Sequence, residues 1–468
     1  MSIATFFAEH GEAQFRREEA EIATKLLRDA AGGAVALGGG AVLSDRVRDA
    51  LAPHTVVWLQ VDAETAWARV ADSGRPLAQD RARFDALHAE RQALYESLAD
   101  AVVPAGDPDM VRRALPAIQA LAEMPVGAKL LWAASAAGEY PVFVGSGILG
   151  AGPWPLGGER CCVTDASVGP LYLDRLAPLA GTVEVPPGES AKTMAEAERV
   201  LREMARLGVT REDHVVALGG GVVGDLAGFC AHVYQRGVPV VQVPTTLVAQ
   251  VDSAYGGKTG VDLPEGKNYA GAYHPPAAVI ADTSTLATLP REELAAGFVE
   301  ALKTGLLAGG GLWERVRAIE SLDPAALDDV VFACARCKCE VVAADERDAG
   351  PRQALNLGHT VGHAIEAASG YGRYRHGEAI GLGLLAALRL SGAPELRDEV
   401  EAVLARHGLP TALDPAVELD ATLAALGRDK KRTAAGVGFV LLAEPGAPRT
   451  GELLDPAKVR AAVEELYS

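Results

Sequence analysis

At 468 residues the chain is too long for one hydrophobic core and fits about three domains. A formal net charge of -18 repels polyanions, which argues against nucleic acid as a partner and confines any phosphate site to a local basic pocket. No apolar run reaches the roughly 18 residues that span a bilayer, and Glu9 and Glu12 stand where a signal peptide is apolar, so the chain is expected in the cytoplasm, off the membrane.

The expected class is α/β in three parts. In residues 1–125, EEAEIATKLLRDAAG reads as a helix, GAVALGGG as a buried strand ending in a glycine turn and HTVVWLQVD as a second strand; a closing helix and connector occupy Asp107 to Val126. Residues 126–289 form a second α/β unit. Its strands are EYPVFVGS, ERCCVTD, GTVEVPP, DHVVALGGG, VPVVQVPT and AAVIADT, with the amphipathic helix AKTMAEAERVLREMARLG among them, an alternation that implies a parallel sheet. Residues 290–468 are Ala- and Leu-rich and read as an all-α domain. Cys334, Cys337 and Cys339 lie in a helical segment with no second cysteine cluster, so buried reduced thiols are expected rather than a thiolate metal site.

Chemistry concentrates in four segments. LGGGVVGDLAG sets Gly219, Gly221 and Gly224 in G-x-G-x-x-G spacing between a strand and a helix, which suits a pyrophosphate at a helix N-terminus and equally a plain tight turn. The span from Thr245 and Thr246 through Asp252, Lys258, Lys267 and Asn268 is a glycine-rich phosphate cradle or a turn with solvated lysines; Asp252 stands where a P-loop needs its first glycine. Glu300 and Lys303, three apart on a helix, are a surface ion pair or, given their apolar neighbours, an inward carboxylate that needs a cation. His359 and His363, four apart, share one helical face, with His376 a short loop away. These histidines satisfy a core or hold a metal; Glu300 with His359 and His376 makes a ligand set suited to zinc with open positions.

The blocks PGESAK, LGGGVVGDLAGF, RGVPVVQVPTTL through GGKTGVDLPEGKN, AGFVEALKTG, DERDAGPRQALNLGHTVGHAIE, HGEAIGLG and RDKK together resemble 3-dehydroquinate synthase, from about Pro141 to the C-terminus. The resemblance implies an NAD-binding α/β domain, a helical domain, a divalent metal, normally zinc with cobalt as an alternative, and a homodimer. The implied NAD contacts are Asp165, the block Pro187, Gly188, Glu189, Ser190, Ala191 and Lys192, the block Gly220, Gly221, Val222, Val223, Gly224 and Asp225, then Thr245, Thr246, Lys258 and Lys267, the run Thr285, Leu286, Ala287, Thr288 and Leu289, and Glu293. Implied metal ligands are Glu300, His359 and His376. Around the substrate the resemblance puts Asp252, Lys258, Asn268, Lys303, Lys338, Asp348, Arg352, Asn356, His363 as a proton handler and one of Lys430 and Lys431, with Arg236 reaching a neighbouring subunit's site. The implied substrate is 3-deoxy-D-arabino-heptulosonate 7-phosphate, converted to 3-dehydroquinate and phosphate with NAD regenerated each turnover. Asp348 is one methylene shorter than the family's usual glutamate.

SIATFFAEHGEAQFR, VALGGGAVL, SGRPL and ERQALY resemble the latter part of shikimate kinase. By motif Arg16, Gly39, Gly40 and Arg91 match shikimate-contacting positions and Arg75 the nucleotide-lid arginine. That family's P-loop belongs before Ser2, so no phosphoryl transfer is expected from the chain as written, and a start placed too late is favoured over a remnant docking domain. Rival readings for the rest are a metal-dependent polyol or glycerol-phosphate dehydrogenase and a non-catalytic pathway scaffold.

Overall fold

The computed structural model describes residues 3–30, 32–71, 80–427, 432–433 and 436–467, so Arg75, Lys430 and Lys431 lie outside the described residues. Two compact units emerge, Met1–Glu123 with Lys129–Trp132, and Met124–Ala128 with Ala133–Ser468.

In the first unit the helix Ile3–Asp29, interrupted at Gly11, sets Ala20, Ala23 and Leu27 against Val42, Val47 and Leu51; their three- and four-residue spacing puts them on one face. Val57–Gln60 pairs in parallel with Ala101–Pro104, which pairs in turn with Leu130 and Leu131. The expected strand GAVALGGG does not form. Residues 34–38 join no strand among the described residues, and Val35 is exposed. A strand needs a neighbour for its main-chain groups; here Leu37 packs on the helix cluster instead.

The second unit carries parallel strands in the order Gly138–Gly145, Ala278–Asp282, Val240–Pro244, His214–Gly219, Arg160–Asp165 and Gly181–Val185. His214–Gly219 and Val240–Pro244 are buried at every residue, which is why they read as unbroken apolar runs rather than as alternation. The amphipathic helix Met194–Arg206 buries Ala197, Val200 and Met204 and is capped by Thr193, whose side chain accepts from the Glu196 N–H. Lys258–Leu263 and Gly266–Tyr273 form an antiparallel hairpin, where only a glycine-rich turn region was legible.

Helices follow. Arg291–Ala308 is buried continuously from Leu294 to Leu306, with apolar residues around it and Glu300, Lys303 and Thr304 buried among them. Around it stand Pro324–Ala344, His359–Ala368 and His376–Ser391. Two glycines permit this packing: a Cβ at Gly377 would overlap the Ala296 carbonyl, and one at Gly383 would overlap the Gly358 carbonyl. The helical part also contains an antiparallel pair, Gly436–Leu442 with Pro448–Leu453, which the sequence reading missed because a short apolar run such as GVGFVLL fits a buried helix equally well.

Candidate metal centre and cofactor crevice

Four strands of the second unit end at Asp165, Gly219, Pro244 and Asp282, and ligands of open parallel sheets lie beyond such carboxyl ends. Helix Gly221–Val233 begins there with Gly220 as its N-cap and no side-chain cap, leaving N–H groups able to meet a phosphate. The approach is close: a Cβ at Gly220 would sit 2.8 Å from Thr246 Cγ2. Beside it buried Lys192 pairs with Asp225 at 2.5 Å. Burial works against the Lys192 charge, but Asp225 and Glu189 outweigh it and raise the pKa. Lys267 Nζ lies 3.5 Å from Glu189, and Asp165 accepts from the N–H groups of Ser167 and Val168. Deeper in, the Thr285 hydroxyl donates to the Asp282 carbonyl, and Thr288 meets the Tyr172 hydroxyl at 2.6 Å. Those two threonines therefore brace the loop after the last strand. Glu293 pairs with Arg375 at 2.8 Å.

On the helical side Glu300 is 0 % exposed and Lys303 1 %, so the inward-carboxylate alternative holds. Lys303 Nζ is 2.5 Å from Glu300 Oε2, and 3.8 Å from Asp252. Glu300 Oε1 lies 3.7 Å from His359 Nε2 and 3.5 Å from His376 Nε2. One nitrogen from each of His359, His363 and His376 also falls within 4.8 Å of the others. Glu300 and three histidines 59 to 76 positions further along thus converge on one point. Two donor triads are available, three imidazoles or Glu300 with two imidazoles. The tautomers favour the second: Nδ1 of His359 lies 3.2 Å from the Leu357 carbonyl and Nδ1 of His376 3.3 Å from Glu366, so both Nε2 atoms are left facing Glu300.

Electrostatics follow from burial. Desolvation alone would raise the Glu300 pKa, yet Lys303, His359 and His376 hold it well below the usual range. Burial and then Lys303 push His359 well down, keeping it neutral and able to donate a lone pair. Burial also opposes a charge on His376, but Glu300 and Glu366 outweigh it and lift its pKa to about 10, so a metal binding there would displace the Nε2 proton. Neither Glu300 oxygen receives a well-aligned hydrogen bond among the described residues, Lys303 notwithstanding. A buried, incompletely satisfied carboxylate oxygen with two imidazole nitrogens facing it fits a divalent ion such as zinc or cobalt.

A basic pocket adjoins this cluster. Asp252, on the π-helical turn Ala249–Ser253, binds Lys338 in a short contact. Burial opposes the Asp252 charge, but Lys338 and Lys303 keep its pKa low. One carboxylate serves two ammonium groups, so Lys338 is under-compensated: burial, with Lys303 and Arg352 adding repulsion, lowers its pKa although Asp252 resists. Arg352 is 1 % exposed and donates to the Glu346 and Gly256 carbonyls, its Nε unpaired among the described residues. Asn356 Nδ2 donates to the Gln353 carbonyl. Lys258 reaches Asp348 at 2.5 Å. Asn268 and Asp348 are in left-handed conformations, φ +56 and +62, a cost usually carried where backbone shape serves a site. Arg236 is exposed at a turn with φ +70, and among the described residues it makes no hydrogen bond or ion pair.

The geometry has counterparts. The family model described as 3-dehydroquinate synthase N-terminal matches residues 182–296, and its C-terminal companion matches 297–432. A 3-dehydroquinate synthase of Symbiobacterium thermophilum is 43% identical over 352 residues, 70% of this chain and 98% of the relative; one of Halorhodospira halophila is 44% identical over 342 residues, covering 69% and 96%. The chain belongs to the 3-dehydroquinate synthase family. Among solved structures, 2-deoxy-scyllo-inosose synthase complexed with carbaglucose-6-phosphate, NAD+ and Co2+ is similar at TM-score 0.66 and 25% identity, covering 72% of this chain and all of that one. 2-epi-5-epi-valiolone synthase from Streptomyces hygroscopicus, with NAD+ and Zn2+ bound, is similar at 0.64 and 29%, covering 70% and 96%.

Residues 1–121 match the shikimate kinase family model. Within that unit Arg16 pairs with Glu19 at 2.6 Å, the Tyr95 hydroxyl donates to the Gly39 carbonyl at 2.6 Å, and a side chain at Gly40 would overlap the Arg16 guanidinium. Arg91 Nη1 would lie 3.8 Å from a Cβ at Gly39. Four of the five residues expected from that resemblance therefore meet, while Arg75 is outside the described residues. Among the described residues no helix is long and apolar enough to cross a membrane.

Proposed function

We propose that the second unit converts 3-deoxy-D-arabino-heptulosonate 7-phosphate to 3-dehydroquinate and phosphate. NAD is held over the Gly220–Asp225 turn and a divalent ion by Glu300, His359 and His376. The observation that carries this reading is the meeting of one buried carboxylate oxygen with two imidazole Nε2 atoms, 3.7 and 3.5 Å away, beside a pocket richer in ammonium and guanidinium than in carboxylate. When bound, NAD supplies a transient hydride acceptor and the ion a Lewis acid for the substrate's oxygens.

The chain's residues do the rest. Lys338, Lys258, Asn268 and Arg352 cradle the leaving phosphate as its charge grows. Lys303 keeps Glu300 ionised and positions Asp252, and His363, with its ring 5.2 Å from that of His359, passes protons at the substrate hydroxyl. In the same reading the working unit is a cytoplasmic homodimer, and exposed Arg236 serves the partner's site.

The test is phosphate release from the heptulosonate phosphate, measured with and without added NAD and after chelation. Stripping both groups is expected to stop release, and restoring both to recover it without net NADH. Steady accumulation of NADH with no phosphate would instead identify a polyol-type dehydrogenase, and release indifferent to both treatments would defeat the mechanism.

A further inference from the structure

We infer that Glu366, which is in neither the expected ligand set nor the substrate pocket, is the positioning residue that fixes how His376 presents itself to the ion. The inference rests on the metal reading above and extends it.

His359, His363 and Glu366 occupy positions i, i+4 and i+7 of one helix, His359–Ala368, so they share a face. Glu366 is only 6 % exposed, and its Oε1 lies 3.3 Å from His376 Nδ1. The other nitrogen of the same ring is 3.5 Å from Glu300. One imidazole is therefore gripped between two carboxylates, and its tautomer follows: Nδ1 carries a proton donated to Glu366, and Nε2 is turned toward the ion position. His359 has the same arrangement with a main-chain acceptor, the Leu357 carbonyl. That acceptor belongs to the fold and cannot be removed by a side-chain change; Glu366 can.

The location of His376 makes such a grip necessary. It is the first residue of its helix and follows a turn through Tyr371, itself at φ +58, and its side chain is 40 % exposed. A half-exposed ring at a helix start has rotamer freedom that a single ligand bond must otherwise suppress. Ligands are oriented in this way by partners one step removed from the metal, and loss of such a partner typically costs about 10–100-fold in metal affinity.

The experiment uses the full chain stripped of metal, titrated with Zn2+ against a competing chelator and separately with Co2+ followed by its visible absorption. Glu366→Ala is expected to raise the Zn2+ Kd by about 10–100-fold and to alter the Co2+ spectrum while leaving the NAD Kd within about twofold. Glu366→Gln, which preserves shape and an acceptor oxygen, is expected to lose less and guards against a folding defect in the alanine variant. Unchanged Zn2+ Kd and Co2+ spectrum in both variants, with His376→Ala still weakening Zn2+, would overturn the positioning role alone. A parent chain that binds neither ion would overturn the metal reading and this inference with it.

Discussion

Replacing His359 with alanine is expected to cut phosphate release about a thousandfold or more, since a divalent ion's stabilisation of developing charge is worth several kcal/mol and each ~1.4 kcal/mol is a factor of ten. The loss should run through the ion. His359 Nε2 is one of two imidazole nitrogens facing Glu300, and its depressed pKa keeps it free of the proton that would compete with a metal. In the proposed site NAD lies against the strand ends and the Gly220 turn, away from His359, so NAD affinity is expected to stay within a few-fold. Metal content, NAD binding and turnover measured on one preparation separate the two lobes' contributions. Full turnover in the variant removes His359 from the ligand set, and joint loss of NAD and metal binding points to misfolding instead.

The second large effect is on stability. Lys303→Met is expected to cost about 3–5 kcal/mol, the usual penalty for stranding one partner of a buried ion pair. Glu300 and Lys303 are each about 1 % exposed at the side chain and 2.5 Å apart, so water cannot replace the missing ammonium. The destabilisation should be greatest after chelation and should shrink when metal is restored, because a bound cation supplies the counter-charge that methionine cannot. Denaturant titrations of the two states measure it. The double variant Glu300→Gln with Lys303→Met should recover part of the loss, since no buried charge is then unpaired. Equal stability of Lys303→Met and parent in both states would mean that Glu300 takes up a proton and the pair is not an ionic one.

Much of the site's chemistry was legible in the sequence because short-range spacing is a geometric statement. A strand of apolar residues running into G-x-G-x-x-G places a glycine turn at a helix start, and the structure has Gly220 there as an uncapped N-cap. His359 and His363 share a face because a helix returns in 3.6 residues. Glu366 carried the same signal, at i+7 from His359, but a glutamate on a helix is ordinarily a solvated one, and only its burial and its 3.3 Å contact with His376 distinguish it. The strand expected over GAVALGGG failed for the complementary reason: its residues are suitable, but a ladder needs a neighbour, which no local pattern supplies.

Most helices and the parallel strands of the second unit, the kinds of ligand and charge available, and the family motifs could be read from local pattern, since each is a property of residues within a few turns of one another. That Glu300, Lys303 and Asp252 form one connected chain of charge and that two imidazoles present the same nitrogen to Glu300 depends on how the helices pack together. Tertiary packing likewise decided that Gly377 and Gly383 let the His376 helix close on the Ala296 and Gly358 carbonyls. The physical reason is packing: the separation of side chains some 60 positions apart is set by how closely helix backbones approach, a property of the assembled core rather than of any stretch of the chain.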